Sequence, residues 1–129
     1  MNKPFIVVSP LNPDPMYKQI TDQIKNAIAS DTLQPGAKLP SIREMAKELK
    51  ISEITIKRAY SDLENEGYII TRSGLGSFVA YVDKEKLRLE KLAEIRGEIL
   101  KILKTGGKFN ITADDILGII TEIKEHKDG

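Results

Sequence analysis

The chain has 129 residues, enough for one ordinary domain or for one small domain with an appendage. Apolar residues make up 40% and charged residues 30% of the sequence, so we expect a globular protein rather than a disordered one. No apolar run approaches the roughly 20 residues that cross a bilayer, and the first apolar run is too short for a secretory signal. The absence of cysteine excludes disulfides and thiolate metal sites and fits a cytoplasmic protein.

The net charge is only +1, but the positive charge is unevenly distributed along the chain. Residues 38–58 contain six basic and three acidic side chains, whereas residues 83–129 contain ten of each sign. The local excess predicts that an anionic partner would meet the segment 38–58 rather than the C-terminal part.

An extended arm is predicted for residues 1–13, with a short apolar run that packs on the body of the protein. This run consists of Phe5, Ile6, Val7 and Val8. Asp14 and Pro15 form a favourable helix start, with a side-chain acceptor at the N-cap and proline at the first helical position. Apolar residues then recur at helical spacing, which predicts a first helix that runs to about Ser30.

Two helices joined by a tight turn are predicted next. Ser41 and Glu44 have the spacing of a capping box, and apolar spacing carries this helix to about Lys50. Ser52 caps the following helix, which is predicted to run to about Glu66, and Gly67 is typical of the residue after a helix end. Ile56 is predicted to face the core, whereas the orientation of Ile54 is left open.

A β-hairpin is predicted after the second of these helices. Residues 68–71 and 77–82 are rich in β-branched and aromatic side chains, and residues 72–76 form the loop between them. Two helices in succession followed by a hairpin are the plan of a winged helix-turn-helix. The predicted fold is therefore mainly α with a small β-hairpin, in an N-terminal arm and winged domain over residues 1–82.

The remaining residues, 83–129, are predicted to form two amphipathic helices that pair with a second copy of the chain. Their apolar residues keep spacings of three and four, close to a heptad seam. The predicted dimer interface consists of Leu89, Leu92, Ile95, Ile99, Ile102, Ile116, Ile119, Ile120 and Ile123. The alternative is that these helices fold back on the winged domain of the same chain.

Short polar residues and long cations at the start of the second helix of the pair suit the major groove of DNA, which is about 12 Å wide. The candidates in this helix are Ser52, Glu53, Thr55, Lys57 and Arg58. The alternative is that Ser52 is only a helix cap and that Lys57 and Arg58 belong to a solvated face. Within a helix-turn-helix followed by a hairpin, we favour the DNA-binding interpretation.

The helix before it and the hairpin loop supply further candidates. Arg43 lies in a first helical turn, where the helix dipole disfavours a cation, so an external phosphate or base edge is the favoured partner. The alternative partners are Glu44 and Glu48. Ser41 is first a cap and second a phosphate contact. The candidates in the loop are Arg72, Ser73, Gly74 and Gly76, of which the glycines allow close approach to the minor groove.

Enzymatic and metal-binding functions are not indicated. The single histidine, His126, lies near the C-terminus, and without cysteine a zinc site would have to be rich in carboxylates. No phosphate-binding glycine motif follows a predicted strand. We therefore expect no catalytic residue, no metal and no cofactor.

Residues 14–80 resemble the GntR family of bacterial regulators. The matching segments are Tyr17-Lys18-Gln19-Ile20, Pro35-Gly36, Leu39-Pro40-Ser41-Ile42-Arg43-Glu44, Ile51-Ser52, Thr55-Ile56-Lys57-Arg58-Ala59-Tyr60, Leu63-Glu64-Asn65-Glu66-Gly67 and the Gly74, Gly76, Phe78, Val79 set. The resemblance implies a transcription regulator that binds double-stranded operator DNA as a homodimer. The short C-terminal part is similar to the YtrA-like branch of the family, in which this segment makes the dimer.

The resemblance implies DNA contacts at Arg43, Ser52, Thr55, Lys57 and the loop at Ser73-Gly74. Glu53 stands where the family commonly has arginine, which implies a different preferred base, because a glutamate accepts from cytosine N4. Ile54 stands where the family often has a small or polar residue. The most strongly indicated function is a repressor on a palindromic operator; the alternative is a winged module that binds protein or structured RNA. The operator, the regulated genes and any small-molecule effector are not specified by the sequence.

Overall fold

A computed structural model describes residues 6–128 of the chain. The described part divides into two compact units that meet between Lys84 and Glu85. The elements in chain order are α1 Met16–Ala29, α2 Ile42–Leu49, α3 Glu53–Asn65, β1 Ile69–Arg72, β2 Gly76–Val79, α4 Lys84–Gly107 and α5 Ala113–Asp128. The prediction of a mainly helical fold with a small hairpin is confirmed.

Helix α1 begins one residue later than predicted. Pro15 is the N-cap, with an extended ψ of 152°, and no side chain caps the helix, so the prediction of Asp14 as N-cap is wrong. The Pro15 carbonyl accepts from the N–H groups of Lys18 and Gln19 and satisfies two donors that a capping side chain would otherwise serve. The Asp14 carboxylate lies 3.7 Å from Lys18 Nζ instead.

Helices α2 and α3 form the helix-turn-helix, and both start as predicted. Ser41 caps α2 and Ser52 caps α3. Lys50 ends α2 in the left-handed conformation, with φ 56° and ψ 44°, and this reverses the chain within two residues. Gly67 follows α3 with a φ of +84°, and the N–H of Tyr68 donates to the carbonyl of Leu63 to close the helix end.

The core of the first unit is built from one apolar face of each element. Its largest fully buried side chains are Ile6, Ile20, Ile24, Ile28, Leu39, Met45, Ile56, Leu63 and Ile69. Ala59 and Tyr60 of α3 are both buried, and with Ile56 and Leu63 they form the apolar stripe of this helix. This packing fixes α3 against α1 and α2, and leaves the opposite face of α3 outward.

Two glutamines of α1 form hydrogen bonds with the N-terminal arm. Gln19 is only 5% exposed; its Oε1 accepts from the N–H of Ser9, and its Nε2 donates to the carbonyls of Ser9 and Asp14. Gln23 exchanges two hydrogen bonds with the backbone of Val7. The sequence indicated apolar packing alone and missed this role of the amides.

The predicted apolar run of the arm packs only in part. Ile6 is buried and Val8 packs against the core, but Val7 is 74% exposed, so its predicted packing is wrong. Successive side chains of an extended segment point in opposite directions, which places the middle residue toward solvent. Phe5 lies outside the described residues.

Replacing Gln19 by alanine is expected to destabilise the first unit by about 1–3 kcal/mol, because it removes three hydrogen bonds and leaves backbone groups of Ser9 without them. Urea denaturation followed by circular dichroism measures this difference. Gln23→Ala is the matched control, and it should cost less because its hydrogen bonds are exposed. Equal stability of Gln19→Ala and the wild type would refute this role.

The hairpin is shorter and its loop tighter than predicted. Strands β1 and β2 are antiparallel, with Ile69 opposite Val79 and Arg72 opposite Gly76. The predicted loop of residues 72–76 therefore narrows to 73–75, because both end residues pair in the ladder. The predicted second strand began at residue 77 and ran to residue 82, whereas β2 ends at Val79.

A third extended segment, which was not predicted from the sequence, lies beside β2. Lys38 forms an isolated antiparallel bridge with Phe78, and the N–H of Leu39 donates to the carbonyl of Ser77. Proline and glycine precede this segment, and Pro40 follows it, so its pattern is typical of a turn. Its pairing with β2 places the chain that enters α2 directly beside the hairpin.

The second unit contains α4 and α5, joined by residues 108–112. Thr112 and Asp115 form a capping box at the start of α5. No residue of α4 is buried. Among the residues predicted to form the dimer interface, Ile116 is half-buried and the other eight are between 39% and 60% exposed. Across the described residues, no helix combines the length and the apolar character that crossing a membrane requires.

Candidate nucleic-acid interface

The first turn of α2 is fixed by the predicted capping box. Ser41 Oγ accepts from the N–H of Glu44 at 3.0 Å, and Glu44 Oε1 accepts from the N–H of Ser41 at 2.9 Å. The hydrogen bonds from the backbone and the side chain of Ser41 hold the pKa of the Glu44 carboxyl below its usual value. Both residues are exposed, so the capped turn lies at the surface.

The lowered pKa of Glu44 predicts a pH dependence of stability. The contribution of this carboxylate is present above the ordinary pKa of glutamate and is lost as the pH falls through the lowered value. We expect the difference in unfolding free energy between the wild type and Glu44→Ala to shrink as the pH falls from neutral to below the ordinary pKa of glutamate. Glu44→Gln, which does not titrate, should differ from Glu44→Ala by an amount independent of pH. A constant difference between wild type and Glu44→Ala would contradict the assignment.

The entry to α2 is anchored by α3. Tyr60 Oη donates to the carbonyl of Pro40 at 2.7 Å, and burial of the ring raises the pKa of this phenol. The hydrogen bond joins the middle of α3 to the residue just before the Ser41 cap. The start of α2 and the middle of α3 are therefore held together by a part-buried hydrogen bond.

Arg43 has an exposed side chain in the first turn of α2. The alternative of a pair with Glu44 or Glu48 is not observed, and no carboxylate in the described part of the chain lies within 4.0 Å of its guanidinium. A cation near the N-terminus of a helix is disfavoured by the helix dipole, and here no internal anion offsets that cost. The arrangement leaves all its N–H donors available to an external anion.

At the start of α3, two residues are hydrogen-bonded to each other through their side chains, and two have exposed side chains without such bonds. Ser52 Oγ accepts from the N–H of Thr55 and lies 2.9 Å from Thr55 Oγ1, so both hydroxyls are occupied in capping. Glu53 is exposed, and its side chain has no ion pair or hydrogen bond with any other described residue. Ile54, whose orientation the sequence left open, is 81% exposed. The surface of this turn is therefore formed by a carboxylate and an aliphatic side chain.

The next turn of α3 carries the two predicted cations, which differ in their surroundings. Lys57 is exposed and has no carboxylate within 4.0 Å among residues 6–128. Arg58 is also exposed, but its guanidinium stacks over the ring of Tyr17 from α1, 3.6 Å from the ring centroid. Stacking uses the face of the guanidinium and leaves its in-plane donors available. Sequence spacing did not predict this contact.

The wing is the hairpin loop with the ends of its two strands. Ser73, Gly74 and Leu75 form its tip, which the N–H of Leu75 closes by donating to the carbonyl of Arg72. Gly74 has a φ of +75°, which disfavours a side chain. Gly76 has a φ of +116°, and a Cβ there would lie 3.0 Å from Cε of Lys38. Both glycines are therefore required by the shape of the wing.

Lys38 is a candidate that was not predicted from the sequence. It is exposed, its bridge to Phe78 places it on the edge of the wing, and its charge contributes to the lowered pKa of Glu44. It thus lies between the wing and the first turn of α2. The local basic excess over residues 38–58 included this lysine, but only the pairing of its segment with β2 identifies its position.

Other kinds of site receive little support from the described residues. They contain no group of three or more potential metal-binding side chains. A shallow hollow of about 370 Å³ lies where α4 turns toward α5. It is lined by Lys101, Ile102, Thr105, Gly106, Ile111 and Ile116. Two of these residues, Ile102 and Ile116, belong to the predicted dimer interface.

The sequence of the chain is similar to those of known bacterial regulatory proteins. Residues 16–79 match the family model of bacterial regulatory proteins of the gntR family. An uncharacterised HTH-type transcriptional regulator, YhcF of Bacillus subtilis (strain 168), is 38% identical over 104 residues, which cover 80% of this chain and 84% of YhcF. The HTH-type transcriptional repressor YtrA of the same organism is 33% identical over 99 residues, covering 77% of this chain and 76% of YtrA.

Solved structures agree in fold. A transcriptional antiterminator from Listeria monocytogenes EGD-e superposes with a TM-score of 0.73 and 27% identity, over 95% of this chain and 92% of that one. AraR(DBD) in complex with operator ORX1 superposes with a TM-score of 0.52 and 30% identity, over 58% of this chain and 93% of that one. The resemblance inferred from residues 14–80 is confirmed. The chain belongs to the gntR family of bacterial regulatory proteins, which are DNA-binding transcription regulators and not enzymes.

Proposed function

We propose that this DNA-binding regulator is a cytoplasmic homodimeric repressor, which occupies a palindromic operator with α3 in the major groove and the wing in the minor groove. The observation that carries the proposal is the exposed surface formed by the leading turns of α2 and α3. Arg43 and Lys57 lie on this surface without an internal carboxylate among the described residues. Exposed cations without an internal ion pair are suited to binding phosphates and guanine edges.

The residues of this surface divide by the contacts that they suit. Glu53 suits a cytosine, because the N4 amino group can donate to its carboxylate, and Ser52 and Thr55 belong to the same leading turn. Lys57 and Arg58 suit phosphates on either side, and Arg43 suits a phosphate or a base. Ser41 and the free N–H groups of its helix suit a phosphate.

The wing and its neighbour complete the proposed contacts. Arg72 and Ser73 suit phosphate or sugar at the minor groove, and the absence of side chains at Gly74 and Gly76 permits close approach of the backbone. Lys38, on the edge of the wing, adds one positive charge next to this approach. The contact of Lys38 is with phosphate in this proposal, since its compact ammonium suits a point contact.

Homodimerisation is proposed to be the role of residues 83–129, with residues 1–82 as the DNA-binding domain. The apolar side chains of α4 and α5 remain about half exposed, and the two helices make few contacts with each other. Many exposed apolar side chains at helical spacing are typical of an interface between proteins. In the dimer, the partner chain covers the interface residues of α4 and α5 and the hollow lined by Ile102 and Ile116.

The palindrome and the repressor role follow from the dimer. Two winged domains related by a two-fold axis require half-sites that are inverted copies of each other, spaced by about 34–36 Å or a multiple of it. A dimer bound across such an operator blocks other proteins from the same DNA. The name of YtrA, a repressor, supports this role over activation.

The proposal is tested by selecting bound sequences from a random duplex pool with the full-length chain, followed by titration of the selected site over a salt series. We expect an inverted repeat to be enriched and log Kd to rise linearly with log salt, with a slope of about 0.9 per phosphate contact. Enrichment of a single, unrepeated half-site would refute the palindromic dimer. Weak binding with no enriched sequence and no salt dependence would refute operator binding, and would favour the alternative of a protein or structured RNA partner.

A further inference from the structure

The outward face of α3 has an aliphatic side chain at its centre. At about 100° per residue, the core-facing stripe of Ile56, Ala59 and Leu63 lies on one side of the helix, and Ile54 lies almost diametrically opposite it. The exposed fractions agree, since these three are fully buried and Ile54 is 81% exposed. Among the large hydrophobic side chains of α3, Ile54 is therefore the exposed one.

The neighbours of Ile54 on this face are the polar residues already described. Lys57 and Arg58 follow it by three and four positions and share its face, and Glu53 precedes it. None of them offers Ile54 an apolar partner, and no core residue packs against it. An aliphatic group is thus surrounded by groups that suit phosphates and base edges.

A single exposed isoleucine is common on protein surfaces and needs no function. This one differs because it occupies the leading turn of the helix that is proposed to enter the major groove, with the exposed, charged side chains of Glu53, Lys57 and Arg58 on either side of it. The major groove offers one apolar group to such a side chain, the C5 methyl of thymine. A lysine or a glutamate does not distinguish thymine from its demethylated form, whereas an aliphatic contact does.

We propose that Ile54 is a specificity-determining residue that recognises a thymine through its C5 methyl group. The inference rests on the proposed binding of α3 in the major groove. It specifies one base of the operator that this helix contacts. The capped hydroxyls of Ser52 and Thr55 support it, because their mutual contact leaves Ile54 and Glu53 as the outward groups of the turn. The site read by this turn therefore contains a thymine next to the base read by Glu53.

The test uses the full-length chain and the duplex selected from a random pool. Each thymine in one half-site is replaced in turn by deoxyuridine, which removes only the methyl group. For the wild type, we expect one replacement per half-site to weaken binding by about threefold to tenfold, the effect of one buried methyl group. For Ile54→Ala, the same replacement should have no effect on the Kd. Ile54→Val, which keeps a branched aliphatic group, should retain the sensitivity.

Folding does not obscure this result. Ile54 is outside the core and alanine favours helix, so the thermal midpoint of Ile54→Ala should equal or exceed that of the wild type. A wild type that tolerates every deoxyuridine, or a sensitivity that persists in Ile54→Ala, would overturn the inference and leave operator binding intact. A failure of the proposed function would give a different result, because no sequence would be enriched from the random pool. That result would refute both the proposed function and the role of Ile54.

Discussion

Removal of residues 85–129 is expected to give a folded monomer that binds the operator about 10²- to 10⁴-fold more weakly than the full chain. The loss comes from effective concentration: in a dimer, the second winged domain binds its half-site intramolecularly after the first has bound. The monomer has to bind each half-site from solution. Sedimentation velocity gives the assembly state, and fluorescence anisotropy with a labelled operator gives the Kd.

The shortened chain should fold because its core is complete without the second unit. Every buried apolar side chain of the described residues lies between Ile6 and Ala80. The cut after Lys84 also keeps the ion pair between Lys84 and Asp31. A truncated chain that sediments as a dimer would refute the assignment of the interface to α4 and α5.

A full-length variant separates loss of the dimer from loss of the segment. Ile99→Glu places a carboxylate in the predicted seam of α4, where dimerisation would bury it, and the cost of that burial opposes association. Gly97→Glu is the control, since it adds the same charge about 160° around the helix from Ile99 and Ile95 and at least about 80° from the other predicted interface residues of α4, at a position where a side chain meets open space. We expect the first variant to be monomeric and the second dimeric. Two dimeric variants would place the interface elsewhere.

The helix-turn-helix was predictable from sequence because its boundaries are set locally. The capping box of Ser41 and Glu44, the cap at Ser52 and the positive φ of Gly67 each depend on residues within four positions of one another. Short-range hydrogen bonds of this kind follow from spacing alone. The apolar stripe of α3 was equally predictable, because only one side of this helix packs against the core.

Other features of the fold depend on contacts between distant parts of the chain. The hydrogen bonds between Gln19 and the arm, the stacking of Arg58 on Tyr17 and the bridge of Lys38 to Phe78 join residues 10 to 41 positions apart. Residue patterns alone did not specify these partners, because a polar side chain on a helix surface has the same pattern whether it faces water or another segment. The shorter loop of the wing also results from strand pairing, because Arg72 pairs with Gly76. The β-branched composition of the strands did not determine that register.

For the candidate site, the sequence selected the right region but not the state of each residue. It could not separate Arg43 paired with Glu44 or Glu48 from Arg43 without a partner, because both are within reach at helical spacing. It also left Ile54 open, since one apolar residue at the start of a helix fits either the core or the surface. The structure decides the geometry of both, and binding experiments test their roles.

Replacement of Arg43 by alanine is expected to weaken operator binding by about 1–3 kcal/mol, or roughly 5- to 150-fold in Kd. The physical reason is that its exposed guanidinium has no internal anion among residues 6–128, so the charge is fully available to DNA. Stability should change little, because no packing or hydrogen bond is lost. Anisotropy titrations at several salt concentrations measure the effect.

The salt series also identifies the group that Arg43 contacts. Loss of a phosphate contact makes the slope shallower by about 0.9 per contact and weakens all sequences alike, whereas loss of a base contact relaxes the preference at one position. Arg43→Lys keeps the charge but not the bidentate donors, so it should rescue the phosphate case and not the base case. Lys25→Ala is the control for net charge, since Lys25 pairs with Glu66 at the far end of α3, about 20 Å from its leading turn. An Arg43→Ala affinity equal to that of Lys25→Ala would remove Arg43 from the interface and leave α3 and the wing to bind the operator alone.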